Sequence, residues 1–330
     1  MANIKEIASK AKVSISTVSR VLNYDDTLSV TEETRKKVFQ VAEELNYTKY
    51  KHKNDDQQIA VIEWYTEEQE LHDSYYMAIR LGTEKALLES GLKSVRLFVD
   101  SDWNLARRMK GVIAIGRFSS EQIQELKSIN SNLIIIGQDT LPQTVSCVVT
   151  DAATSMENLL RRFIEKKLTK IGIFIGNGRT SDDKEKIYDN RLKIFRDFLR
   201  NKNLYDPDYV YSGPITPDGG YEVVKYMLSQ KNKDVPNALF VASDTMAVGV
   251  LKGLREAKIN VPNQISIVSF NDSPTAEFAY PALSSVRVYT DQMGKRGVSM
   301  LKELLNDSIL KEVPERIVIS TNVVYRDSSL

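Results

Sequence analysis

Two folds in series are expected from this sequence: an all-α unit in the first fifty residues, then a larger α/β body of two lobes built on parallel sheets. Two observations carry that expectation. Up to residue 48 the apolar positions recur at helical spacing, whereas from Ile59 onward short β-branched runs alternate with longer amphipathic stretches. Between them, Tyr50-Lys51-His52-Lys53-Asn54-Asp55-Asp56-Gln57-Gln58 has no apolar residue after Tyr50 and cannot bury itself. The expected boundaries are 1–48 for a headpiece, 49–58 for a linker or hinge, and 59–330 for the body. At 330 residues the chain exceeds the size at which single cores usually split.

The headpiece elements follow in order. Ile4, Ile7, Ala8 and Ala11 lie at helical spacing, and a tight turn at Lys12-Val13 leads into a second helix. Ser14 stands where an N-cap is wanted, since its hydroxyl can accept from the free N–H groups of the first turn. Val18, Val21 and Leu22 form the apolar stripe, and the other face carries Ile15, Ser16, Thr17, Ser19, Arg20 and Asn23. A merely solvated helix more often carries Glu and Lys. Short hydrogen-bonding groups beside one Arg suit a helix pushed into the DNA major groove, where phosphates and base edges are reached closely. Thr31 opens a third helix through Val38, Val41, Ala42 and Leu45, with Glu32 and Glu33 near its positive end. Two short helices joined by a tight turn and closed by a third make a helix-turn-helix. On this reading Ile15, Ser16 and Arg20 read bases, Lys5, Thr17 and Asn23 contact phosphates, and Ser14 belongs to the same DNA-facing set.

Charge and composition narrow the function classes. Residues 1–53 carry a net charge of +3 and the remainder −2, as expected of a chain that touches phosphates at one end. The single cysteine, Cys147, excludes an intrachain disulfide. No basic-then-apolar leader opens the chain and no apolar run nears the ~20 residues that cross a bilayer, so a cytoplasmic location and no membrane partner are expected. The two histidines, His52 and His72, form neither a triad nor a metal-ligand spacing, and Gly176-Asn177-Gly178-Arg179 is only a partial phosphate loop. No catalytic residue, cofactor or metal is expected.

In the body, buried strands are expected at 59–62, 95–99, 112–115, 133–136, 171–175, 238–242 and 265–270. Helical patterns intervene, such as Tyr76 to Ser90, Ser155 to Lys167, Asp189 to Lys202, Gly219 to Gln230 and Thr245 to Ala257. This alternation implies parallel sheets covered on both faces, with late segments crossing back between two lobes. Ligands of such sheets sit beyond the carboxyl ends of strands. Glu63, Trp64 and Tyr65 follow the first strand, with Tyr75 and Tyr76 opening the next helix; Gln138 and Asp139 follow the fourth. Ser243 and Asp244 follow the strand ending at Ala242, and Asn271 and Asp272 the one ending at Phe270. Planar polar groups with aromatic neighbours suit a sugar. Asp244 reads equally as an N-cap, Trp64 equally as lobe packing, and Asp272 also as a loop brace.

Ile4 to Tyr47 resembles the DNA-binding headpiece of the LacI/GalR family of bacterial repressors, whose signature V-S-x-x-T-V-S-R-V-L-N is matched by Val13 to Asn23. The body resembles the periplasmic-binding-protein-like core of the same family at Gly111-Val112-Ile113, Asp189-Asn190-Arg191-Leu192, Ser243-Asp244-Thr245-Met246 and Tyr280-Pro281-Ala282-Leu283. The short stretch Asp100 to Lys110, with the opening Tyr65 to Leu71, is similar to lactose- and galactose-responsive members from Gram-positive bacteria. The resemblance implies a repressor of a sugar-utilisation operon that binds an inverted-repeat operator as a homodimer or tetramer and is released by a sugar between the lobes. It implies Arg191 as the effector arginine, Asn271 in place of the usual Asp, and Ile215 where an aromatic commonly stacks. The expected effector set is Trp64, Tyr75, Asp139, Arg191, Ile215, Asp244 and Asn271. Two other departures are Lys12 where relatives carry Gly, and a linker without the Leu that wedges into the minor groove. The alternatives are a carbon-catabolite regulator with a phosphoprotein corepressor, and a sugar-binding protein that does not act on DNA.

Overall fold

The computed structural model describes residues 3–22, 28–45, 47, 57–70, 74–230, 234–306 and 309–330. Asn23, His52, His72 and nearly all of the expected linker lie outside the described residues.

The headpiece holds α1 (Ile4–Ala11), α2 (Ile15–Leu22) and α3 (Glu32–Glu44). Each opens on its own cap. Asn3 Oδ1 accepts from the N–H groups of Lys5 and Glu6, Ser14 Oγ from Thr17 at 3.0 Å, and Thr31 Oγ1 from Thr34 at 3.2 Å. Lys12 ends α1 in the left-handed conformation, at φ 58° and ψ 44°, which turns the chain tightly into α2. Ile7, Ala11, Val18, Val21, Val38 and Ala42 meet in one small core, so the stripe read from the sequence is the stripe that is buried.

The body has two six-stranded sheets. The first lobe contains β1 (Gln58–Glu63), β2 (Lys93–Leu97), β3 (Gly111–Ile115), β4 (Leu133–Ile136), β5 (Ser146–Thr150) and β11 (Arg316–Ile319), in the order β11-β5-β4-β3-β1-β2 and all parallel. In the second are β6 (Ile171–Gly176), β7 (Val210–Gly213), β8 (Ala238–Val241), β9 (Ser266–Asn271), β10 (Ser284–Arg287) and β12 (Asn322–Val324), ordered β12-β10-β9-β8-β6-β7. Only β12 runs antiparallel there. The helices are α4 (Glu67–Glu70), α5 (Ser74–Glu89), α6 (Ser120–Ile129), α7 (Ala152–Glu165), α8 (Asn190–Arg200), α9 (Pro217–Ser229), α10 (Asp244–Glu256), α11 (Pro274–Phe278), α12 (Thr290–Asn306) and α13 (Ile309–Glu312).

Central strands were legible because burial on both faces demands continuous apolar runs, as in Gly111–Ile115 and Leu133–Ile136. Edges were not. The second strand stands two residues earlier than expected and buries only Leu97, and the edge strands β7, β11 and β12 lie outside the expected set because short, partly exposed strands need no such run. The interior strands β5 and β10 lie outside it too, because Ser146, Thr150, Ser284 and Ser285 interrupt the apolar run. The expected crossing between lobes is present. The chain passes between the sheets after β5, after β10 and after β11, and the first and last crossings are tied by Asp151 N–H to Ile319 O and Thr321 Oγ1 to Asp151 O, both 2.8 Å. Helix α12 returns to the first lobe and lies closely on α5, where a Cβ on Gly294 would come within 2.5 Å of Thr83 N. Between Asp100 and Lys110 the chain makes only a 3₁₀ turn, Trp103–Arg108.

Candidate nucleic-acid interface and interlobe cleft

Burying Val18, Val21 and Leu22 turns the opposite face of α2 outward. Ile15 is 50% exposed, and Ser14, Ser16 and Arg20 are exposed with it. The hydroxyls near the start of the helix form a small network in which Ser14 Oγ lies 2.7 Å from Ser16 Oγ and 2.8 Å from Thr17 Oγ1. Lys5 is exposed on α1. A convex helix end with one apolar side chain, three hydroxyls and a guanidinium can meet thymine methyls, base edges and phosphates.

The second candidate lies between the lobes at the carboxyl ends of the strands. From the first lobe come aromatic rings. Trp64 stacks on Tyr65 at 4.2 Å and meets Tyr76 edge-on at 5.3 Å, and Tyr75 meets Tyr76 at 4.8 Å. Gly116 lets the third loop pass this cluster: at φ 130° its Cβ would fall 2.0 Å from Trp64 Cδ1. That turn delivers Arg117 beside the Tyr76 hydroxyl. Burial opposes its charge, but the Tyr76 and Tyr75 hydroxyls and the Asp189 carboxylate outweigh burial and hold the guanidinium protonated above its ordinary range.

The second lobe answers with Arg191, on the first turn of α8. Its Nε and Nη2 both donate to Asp189, at 2.8 and 2.6 Å, and Nη1 donates to Ala242 O at 2.8 Å beyond the end of β8. The guanidinium lies 4.5 Å over the Phe270 ring. Among the described residues this leaves two of its five N–H groups unclaimed on a plane that cannot swing. Burial pushes the Asp189 carboxyl up, but Arg191 beside it and Arg117 from the other lobe pull it below the usual carboxylate range, so the two lobes share one electrostatic centre. Asn271 ends β9 half-buried at φ 108°, a conformation rare outside glycine. Ile215 is 44% exposed and packs over Gly176.

Three expected effector residues are placed otherwise. Asp244 is not the N-cap: Ser243 caps α10 by accepting from Met246 N–H at 3.1 Å. Nor is Asp244 open to a ligand, because it is 1% exposed and accepts from Ser269 Oγ, Ser285 Oγ and Ser273 N–H, each at 2.6 Å. Burial raises its pKa against those three donors. Asp139 pairs with Arg316 on the edge strand β11 and accepts from Leu141 N–H, apart from the Arg191 group. Trp64, 7% exposed, is chiefly packing. Asp272 braces its loop by pairing with Arg287 and Arg326. Tyr75 is half-buried beside Tyr76 and α12. Arg117 was missed, although it follows a strand and a glycine in the position that pointed to the other candidates. Among the described residues no group could hold a metal ion, and no helix is long and apolar enough to cross a membrane.

Comparison with known proteins joins both regions. Residues 3–49 match bacterial regulatory proteins of the lacI family, and residues 160–329 match the periplasmic binding protein-like domain. The chain is 41% identical over 334 residues to the HTH-type transcriptional regulator GalR of Streptococcus thermophilus, covering all of both chains. It is 36% identical over 334 residues to the GalR regulator of Lacticaseibacillus casei, again over the whole of both. Among solved structures, the lac repressor dimer bound to operator and the anti-inducer ONPF superposes with a TM-score of 0.74 at 19% identity, covering 100% of this chain and 99% of that one.

Proposed function

This chain belongs to the lacI family of bacterial regulatory proteins, and on that premise we propose that it represses a galactose or galactoside utilisation operon and leaves its operator when the sugar enters the interlobe cleft. It acts by binding, in the cytoplasm, and not by catalysis. A homodimer sets two α2 helices on an inverted-repeat operator, because one small headpiece makes too few contacts and pairing raises the effective concentration of the second. Ile15, Ser16 and Arg20 read bases; Lys5, Thr17 and Asn23 hold phosphates, and Ser14 positions the hydroxyl network.

The observation that carries the sugar reading is Arg191, clamped by Asp189, Ala242 and Phe270 with two N–H groups to spare. A fixed donor fork suits a ring hydroxyl pair, and the Arg117 and Tyr75 side faces it across the cleft. Asn271 adds a carboxamide that both donates and accepts, and Ile215 covers a C–H face. Galactose is favoured over other sugars by the names of the GalR relatives. Sugar and operator oppose each other by linkage, since each prefers a different lobe arrangement. Calorimetry of the full chain against galactose, lactose, glucose, ribose and purine bases tests this. Heat from galactose or lactose is expected. Heat only from ribose or purines overturns the ligand class, and silence from all, with capture of a phosphorylated sugar-transport carrier protein, replaces it with the corepressor reading.

A further inference from the structure

Away from Arg191, a second structure joins the lobes. Between β6 and α8 the chain leaves the second sheet and folds back on itself as a hairpin, bridged at Arg179 and Lys186. The hairpin supports itself. Ile187 N–H donates to Gly178 O at 3.0 Å, Glu185 N–H to Thr180 Oγ1 at 3.1 Å, and Arg179 Nη2 to Asp183 O at 2.7 Å. Its tip then lies on the first turn of α6 in the other lobe. Ser119 Oγ donates to Asp182 at 2.6 Å, Ser120 N–H to Glu185 at 2.8 Å, and Gln122 Nε2 to Ser181 Oγ at 2.9 Å, while Lys184 pairs with Glu121.

The match is chemical as well as geometric. Ser119 and Gln122 form a capping box at the start of α6, yet the Ser120 N–H has no acceptor within the helix. Glu185 provides one from the opposite lobe, and two carboxylates at a positive helix end are favoured by its dipole. Ser119 is fully buried beneath the hairpin and Gln122 nearly so. Every side chain from Thr180 to Glu185 is polar, and a cavity of about 260 Å³ opens beside the contact between Trp103, Glu121, Glu125 and Lys184. Polar bonds next to open space exchange for bonds to water at small net cost, unlike a packed apolar interface. The same segment runs on through Ile187, half-buried against the main core, to Asp189 and the arginine it holds.

We propose that the 177–188 hairpin is a latch between the lobes, coupling occupancy of the Arg191 site to lobe closure and so setting the sugar concentration at which the operator is released. The release half rests on the sugar reading above; the closure half does not. By linkage, weakening a contact made only in the latched arrangement raises the sugar needed to populate it.

Asp182→Ala/Glu185→Ala, made in the full chain, removes both carboxylates from the α6 end. Nitroxide labels at Gln124→Cys and Lys202→Cys, one per lobe on a Cys147→Ala background, report lobe separation by pulsed electron resonance. Without sugar, the variant is expected to show longer and broader distances than its parent. The galactose concentration for half-release of labelled operator rises several-fold, and operator binding in the absence of galactose tightens to a smaller extent, because the latched, releasing arrangement loses population. Glu185→Gln keeps an acceptor and should shift both readings less, in the same direction; it stands in should the double variant melt early. Unchanged distances overturn the latch. Longer distances with an unchanged midpoint, in a parent that responds to galactose, overturn the coupling. A parent indifferent to galactose breaks the sugar reading, and the distance measurement then decides the latch alone.

Discussion

Helix α2 and the interlobe cleft both present polar groups to a ligand, but they are assembled in opposite ways. On α2 the cap, the buried stripe and the outward face all lie between Ser14 and Leu22, so burying the stripe decides what faces outward. In the cleft the polar groups arrive from the ends of β1, β3, β4, β6, β8 and β9, and most meet one another first. Asp244 is claimed by three donors, Asp272 by two arginines and Asp139 by Arg316. Polarity at a strand end is therefore no measure of availability. What counts is which donors remain once the protein has satisfied itself.

The largest test of that contrast is Arg191→Ala. Operator binding without sugar should be intact, while release by galactose should vanish. If galactose weakens the wild-type complex a thousandfold, the variant loses about 4 kcal/mol of coupling. Operator titrations with and without galactose measure it, and a variant still released normally would remove Arg191 from the site.

Asp244 tests the claim that its acceptors are already taken. Asp244→Ala strands two buried hydroxyls and one N–H, and should cost about 3 kcal/mol of stability in urea unfolding. Sugar affinity of the folded fraction should barely change. A large loss of sugar affinity without loss of stability would restore Asp244 as a ligand contact.

For the headpiece, Arg20→Ala should cost about 1–3 kcal/mol on the operator and relax preference at one base pair. Affinities on a panel of single-base operator variants read this out. A uniform loss across the panel would make Arg20 a phosphate contact instead.

Smallest is Lys12→Gly. The left-handed turn costs a residue with a Cβ about 1–2 kcal/mol, and glycine returns part of that as backbone entropy, so a net gain of about 0.5 kcal/mol is expected. Headpiece melting and operator affinity should be measured together. Higher melting with lost affinity would show that Lys12 also touches DNA, and no gain in melting would sink the strain argument.

How far the sequence reached differs between these regions for the same physical reason. Helix caps, amphipathic stripes and doubly buried strands are short-range devices, so Ser14, Thr31, Val18–Leu22 and Leu133–Ile136 announced themselves. The Asp244, Asp139 and Arg117 environments depend on residues far along the chain: Asp244 on Ser269 and Ser285, Asp139 on Arg316, Arg117 on Tyr76 and Asp189. Likewise, nothing in Thr180 to Glu185 says that it will seat on Ser119 and Ser120 of the other lobe. By itself the sequence determined the headpiece helices, the doubly buried strands, the two-lobed plan and the outward face of α2, because local periodicity and capping settle them. Only the tertiary structure decided which carboxylates are spoken for and which donors remain, because hydrogen bonding in a buried cleft is shared among groups that meet only after folding.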